Sequence, residues 1–236
     1  MRVLSKRLEC AIGLVTPGHA VLDVGCDHAY AAAELVSRGT APCAVASDVN
    51  RGPLKKAAET IAEAGLTDRI TTVLANGIPD VYADYTGEWP VTVLLCGMGG
   101  ILIRQILEEA SEKGFRFAEL VLSPQRDQDA VRAWLAANGY GITEECFLRE
   151  DGKPYVMIKA MNTGKISTLT EAELHFGPVL LRKKDAGLKE QLERRLAELQ
   201  KIRGSISKET ERNRIRDGEL EAEETLLKTA LDLLQG

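Results

Sequence analysis

The sequence contains no uninterrupted apolar run approaching the ~20 residues of a membrane-spanning helix, so no membrane association is expected. Met1-Arg2-Val3-Leu4-Ser5-Lys6-Arg7 has a basic start but no apolar core or cleavage site, so no signal peptide is expected, and the expected compartment is the cytoplasm. No Cys-x-x-Cys pair occurs among Cys10, Cys26, Cys43, Cys96 and Cys146. Scattered and odd in number, they support neither a zinc site nor a disulfide framework, and no metal is expected. They read as buried or half-buried thiols. Internal repeats and low-complexity tracts are absent. A Gly-x-Gly-x-x-Gly turn is also missing after the first strand-like run, which argues against a dinucleotide pyrophosphate site.

What remains is ordinary for a soluble globular chain: 236 residues, 44% hydrophobic and 28% charged. That length suits one α/β domain plus a small addition. The net charge of −5 argues mildly against a nucleic-acid partner, but it hides an asymmetry. Residues 1–160 hold 16 basic against 21 acidic residues, whereas residues 161–236 hold 14 of each. The tail gathers its basic residues in clusters, at Arg182-Lys183-Lys184, Arg194-Arg195 and Arg212 to Arg216. Local clusters rather than net charge govern phosphate binding. A solvated helical face is the competing explanation.

Apolar runs alternate with helical patterns over the first 160 residues, the signature of a mostly parallel sheet. Strands are predicted near 20–24, 43–48, 70–74, 90–96, 119–123, 141–148 and 154–160. Leu4, Leu8, Ile12 and Val15 form the stripe of a leading amphipathic helix. Further helices are predicted near 28–37, 53–64, 100–112 and 127–137. Pro53 suits a helix N1 position and Gly65 the position after a helix end. Asp151-Gly152 is a hairpin signal, which makes one strand at the sheet edge antiparallel. Seven strands ending in a hairpin are the layout of a class I methyltransferase. Met161 to Lys165 reads as a linker. Beyond it, the stripes Leu188, Leu192, Leu196, Leu199, Ile202, Ile206 and Leu220, Leu227, Leu231, Leu234 suggest an antiparallel helical hairpin of coiled-coil type, turning between Gly204 and Gly218. The expected domains are 1–162, holding a nucleotide-like cofactor, and 163–236, helical.

The chemistry concentrates at strand ends. Val21-Leu22-Asp23-Val24-Gly25-Cys26-Asp27-His28-Ala29-Tyr30 closes the first strand at an acid and a glycine, then places titratable groups where a pyrophosphate would need bare backbone. Such a glycine lets the chain approach the methionine part of S-adenosyl-L-methionine (SAM), and Asp23 can receive its ammonium group. Asp48, one βαβ step later at the end of the second strand, can accept ribose hydroxyls. Asn76-Gly77 follows the third strand, where a polar side chain can meet an adenine edge; an Asn-Gly turn is the alternative. Cys96-Gly97-Met98-Gly99-Gly100 follows the fourth strand. Its glycines allow close approach, and it lacks the Asn/Asp-Pro-Pro-aromatic motif that grips an exocyclic amine, which fits methylation of a ring nitrogen. Asp27 can serve as general base, base anchor or helix cap, and His28 as acid, base or phosphate contact. Gln125, after the fifth strand, can read a base by donor and acceptor.

Together, Leu4-Ser5-x-Arg7-Leu8, Asp23 to Tyr30, Gly52-Pro53, Gly97-Met98-Gly99-Gly100, Pro124-Gln125 and Glu150-Asp151-x-Lys153-x-Tyr155 resemble the TrmK family of bacterial tRNA (adenine-22-N1)-methyltransferases. Two departures stand out: Cys26 replaces a usual Ser, and Asn76 a usual Asp. The resemblance implies SAM as methyl donor, S-adenosyl-L-homocysteine as product and the tRNA D-arm as substrate. It assigns Asp27 and His28 to catalysis. The cofactor set is Asp23, Gly25, Cys26, Asp48, Val49, Asn76, Gly77, Cys96, Gly97, Met98 and Gly99. Arg7, Tyr30, Gly100, Gln125, Arg194 and Arg195 are expected at the RNA, in a monomer or weak dimer. The alternatives are a SAM methyltransferase acting on a small molecule or protein, and a non-catalytic SAM-binding protein dimerised by its coiled coil.

Overall fold

The computed structural model describes residues 4–80, 87, 89–206 and 210–235. The sheet is built from β1 (Ala20–Val24), β2 (Ala44–Asp48), β3 (Ile70–Leu74), β4 (Val91–Met98), β5 (Glu119–Pro124), β6 (Tyr140–Glu150) and β7 (Lys153–Asn162). Helices α1 (Lys6–Gly13), α2 (Tyr30–Ser37), α3 (Arg51–Glu63), α4 (Gly100–Glu112) and α5 (Gln128–Ala137) cover it. The strand order is β3-β2-β1-β4-β5-β7-β6, with β7 antiparallel to both neighbours. This is the seven-stranded, Rossmann-like methyltransferase layout expected from the sequence.

Successive strand residues face opposite sides of the sheet. Val21, Leu94 and Val121 join the core under α1–α3, while their neighbours Leu22, Leu95 and Leu122 join the core under α4 and α5. Continuous apolar runs therefore mark strands buried on both faces. The chain leaves β1 toward β2 and returns on its other side at β4. Such a switch point opens a crevice at the strand C-termini.

The boundaries differ from expectation in instructive places. Helix α3 starts at Arg51, so Pro53 is its third residue rather than its first; an N–H in the first turn has no helical partner, so a proline is tolerated there. Helix α2 starts at Tyr30, two residues late, because Asp27 and Ala29 both take left-handed φ, 50° and 55°. Strand β4 continues through Gly97, at φ 81°, to a bulge before Met98. Gly65 sits just after the end of α3 with φ 68°, as expected. Strand β7 consumes the start of the expected linker.

Helices α6 (Glu171–Phe176) and α7 (Pro178–Arg182) precede a long pair, α8 (Ala186–Ser205) and α9 (Glu211–Gln235). The turn thus lies at 206–210, and residues 207–209 fall outside the described residues. Leu188, Leu192 and Leu199 pack with Leu220, Leu227 and Leu231 in a third core, which also takes in Phe147 and Val156 of the sheet. Ile202 leaves the stripe and is exposed. A buried ion pair fastens the helical part to the sheet. Arg132 Nε donates to Glu145 at 2.8 Å, and Arg132 Nη1 donates to the carbonyls of Leu174 (2.7 Å) and His175 (3.0 Å). Glu145 also accepts from the Val179 N–H at 2.9 Å.

Candidate active site

The loop after β1 is held by its backbone. The N–H groups of Gly25 and Cys26 both donate to the Ser47 carbonyl of β2, at 2.8 and 2.9 Å. Gly25 has φ 71°, and a Cβ there would lie 2.8 Å from Met98 Cε. The left-handed backbone favours glycine, and a side chain there would also push the end of Met98 aside. The left-handed Asp27 and Ala29 are uncommon for residues with a Cβ, a kind of strain that gathers at functional sites. Asp27 does not cap α2, whose N-cap is Ala29 with no side-chain hydrogen bond. Its side chain is instead 75% exposed, with a carboxylate oxygen 3.5 Å from His28 Nε2. The His28 ring stacks parallel to Tyr30, centroids 5.3 Å apart.

These groups border a cleft of about 570 Å³ at the C-terminal ends of β1, β4 and β5. Asp23, Gly25, Cys26, Cys96 and Gly97 line its interior, and Asp27, His28 and Tyr30 its edge. Helix α1 and its N-cap line it with Ser5, Arg7 and Leu8, and β5, the turn after it and β7 line it with Ser123, Gln125 and Tyr155. The Arg7 guanidinium lies over the Tyr155 ring at 5.4 Å. Sequence reasoning missed Ser5, Leu8, Ser123 and Tyr155 as site residues. Ser5, Leu8 and Tyr155 were present in the family pattern, which was a usable signal; strand-end patterns alone had no way to bring α1 to the cleft.

The cleft floor is electrostatically unusual. Burial pushes the Asp23 carboxyl up to about 7, and the nearby Asp48 charge adds to this; a long 3.4 Å hydrogen bond from the Ala32 N–H only partly opposes it. Burial, with the charges of Asp23 and Asp48, pushes the Cys26 thiol up to about 12, and burial also raises Cys96. These thiols stay protonated and unreactive near neutral pH. Among the described residues no three His, Cys, Asp or Glu side chains are grouped to hold a metal ion, and no helix is long and apolar enough to cross a membrane.

Other predicted residues stand beside the cleft or away from it. Asp48 ends β2 next to the Ser47 carbonyl that anchors the loop, and accepts the Asn50 N–H at 2.8 Å. Val49 is 60% exposed beside it. Asn76 is exposed, and Gly77 has φ 81°. Met98 meets the glycine loop, whereas Gly99 faces Arg126. Gly100 is buried, and a Cβ there would run into the Asp127 carbonyl oxygen, which gives it a packing role. The Arg195 guanidinium is paired with Glu223 by two bonds of 2.6 and 3.0 Å and stays partly exposed. Arg194 pairs with Glu190 one turn away.

The sequence profile described as TrmK, tRNA (adenine(22)-N(1))-methyltransferase, matches residues 21–227. The tRNA (adenine(22)-N(1))-methyltransferase of Bacillus subtilis (strain 168) is 30% identical over 235 residues, spanning 97% of each chain. The structure of M. capricolum TrmK in complex with S-adenosyl-homocysteine superposes with a TM-score of 0.85 at 27% identity, covering 99% of this chain and 100% of that one. An uncharacterized protein from Listeria monocytogenes serotype 4b reaches 0.89 at 34% identity, covering 97% and 100%. The chain therefore belongs to the TrmK family of tRNA (adenine(22)-N(1))-methyltransferases.

Proposed function

We propose that this chain methylates N1 of adenine 22 in tRNA, with SAM as donor, and that its residues divide the work as follows. The carrying observation is the buried Asp23 carboxyl, raised to about 7 with no cation beside it among the described residues, at the switch point of a methyltransferase sheet. A site of that character fits a cationic ligand, and SAM carries both an ammonium and a sulfonium. Asp23 holds the ammonium, and Gly25 and Gly97 let the backbone come close. Asp48 accepts the ribose hydroxyls through its second carboxylate oxygen. Val49 covers the adenine ring, and Asn76 bonds its edge. When bound, SAM supplies an electrophilic methyl group.

Adenine N1 has its own lone pair, so no side chain has to deprotonate it first. The protein's tasks are to place the base, exclude water and stabilise positive charge on it. Asp27, at the lip of the cleft, provides that negative charge. His28, stacked on Tyr30, fixes the Asp27 side of the lip and offers a flat surface to the base. Arg7 borders the cleft from α1 and Gln125 from the end of β5.

Residues 1–162 bind SAM, and residues 163–236 hold the tRNA backbone through basic clusters. The leucine stripes of α8 and α9 are satisfied within one chain, which supports a monomer over a coiled-coil dimer. The cytoplasm, where thiols stay reduced, is the compartment proposed for five free cysteines and a tRNA substrate.

Two substitutions test the division. Asp48→Ala is expected to weaken SAM binding by titration calorimetry. Asp27→Asn is expected to keep SAM affinity and slow single-turnover methyl transfer to tRNA by roughly tenfold or more. Unchanged SAM affinity in the first, or an unchanged rate in the second, removes that residue from its role.

A further inference from the structure

A second cavity, of about 530 Å³, lies between the sheet, α5, α6 and the α8–α9 hairpin. Gln125 lines both this groove and the cleft. Its neighbours Phe147, Pro154 and Val156 project from the opposite face of the β6–β7 hairpin to Tyr155, so the groove continues the cleft over the sheet edge.

The lining is mainly apolar, with three amides, Gln125, Gln128 and Gln191, and four charged side chains, Arg132, Arg195, Glu171 and Glu223. Phe147 and Phe176 contribute aromatic rings, with His175 next to Phe176 at 6.1 Å between centroids. Gln128 spends one amide hydrogen bond on the Pro124 carbonyl, and Gln191 accepts one from Arg149. The other half of each amide has no protein partner among the described residues. The positive charges are cancelled, Arg195 by Glu223 and Arg132 by Glu145, and Glu171 adds a negative charge to the lining. One donor is left over. Arg132 Nη2 is buried and has no hydrogen-bond partner among the described residues, in a guanidinium whose side chain is only 1% exposed. A buried donor without an acceptor is unusual in a native protein.

A phosphate would find little net positive charge here, and a lipid chain would strand the amides. A planar heterocycle with polar edges satisfies both parts of the lining. We infer that the groove receives the unstacked base of a nucleotide adjacent to the methylated adenine, resting on Phe176 and read by Gln128 and Gln191. This rests on the tRNA reading above, and it adds a specificity subsite. Two neighbouring nucleotides straddle Gln125, one base in the cleft and the next in the groove. The neighbouring base then sets the register of the RNA, so the target adenine enters the cleft in one position.

The test uses the full chain and tRNA transcripts carrying an abasic nucleotide on either side of adenine 22. For the wild type, one of the two abasic transcripts is expected to raise KM about tenfold, the scale of one base stacked on an aromatic ring. Gln128→Trp, which plugs the groove from α5, and Gln191→Trp, which plugs it from α8, are expected to raise KM for the intact transcript similarly. SAM affinity and melting temperature stay unchanged. On the sensitive abasic transcript the plugged variants lose nothing further, because the same contact is already gone. Equal KM for intact and both abasic transcripts, or losses that multiply, overturn the subsite while methylation itself stands. Failure of the wild type to methylate the intact transcript overturns the parent reading and the subsite together.

Discussion

Replacing Asp23 by asparagine probes the electrostatics of the cleft floor directly. Its carboxyl ordinarily titrates at 3.8 and is raised to about 7 in the fold, chiefly by burial. The native state therefore holds this proton more tightly than the unfolded chain. Below the unfolded value Asp23 has no effect on stability. Its cost grows as pH rises from about 4 to about 7 and is flat above that. Between pH 5 and pH 8 the two titrations differ by roughly 2–3 kcal/mol. An amide is nearly isosteric and does not titrate. Its own burial cost is the same at both pH values and cancels in the comparison. The ligand-free Asp23→Asn variant should gain on the wild type by that amount between pH 5 and pH 8, or about 5–10 °C in Tm for a chain of this size. Differential scanning calorimetry at the two pH values measures it. Saturating SAM at pH 8 should reverse the ranking, because the ionised carboxylate is stabilised by a cationic ligand and the amide is not. Melting curves with the same pH dependence in both proteins would refute the electrostatic account of the floor.

Three further outcomes follow from the packing. Glu145→Gln leaves Arg132 buried without its counter-charge and should cost roughly 3–5 kcal/mol by urea unfolding; a change under 1 kcal/mol would contradict the pairing. Gly100→Ala forces a Cβ against the Asp127 carbonyl and should destabilise by roughly 1–3 kcal/mol, with thermal unfolding as the check. The neighbouring Cys10 thiol holds Cys146 below the ordinary thiol range, while Cys10 itself is pushed up. Cys10→Ala should therefore move the midpoint of Cys146 alkylation with iodoacetamide to higher pH; an unmoved midpoint would remove Cys10 as the cause.

Elements whose pattern is local were legible in the sequence. β1 at 20–24 and β3 at 70–74 stand where the apolar runs placed them, and Asp151-Gly152 turns the hairpin with φ 50° and 76°. The cleft residues from Asp23 to Tyr30 were also legible, because acid, glycine and imidazole follow one strand end. What escaped depends on long-range contact. Arg195 reads as a free cation until α9 brings Glu223 beside it. Gly100 reads as an open loop until the β5–α5 turn fills the space above it. The Arg132–Glu145 pair joins positions 13 residues apart, and its completion by the carbonyls of α6 and the N–H groups of α7 has no local signature. The late start of α2 follows from left-handed backbone at two non-glycine residues, which propensity does not foresee.

The central claim is that this cleft delivers a methyl group to one ring nitrogen of one tRNA nucleotide. Incubating the purified chain with labelled SAM and an unmodified tRNA transcript, then mapping the modified nucleotide by mass spectrometry of nuclease fragments, tests it most directly. The account predicts a single N1-methyladenine at position 22, and no label in a transcript with guanine there. Label at another position, on an exocyclic amine, or in neither transcript would contradict it.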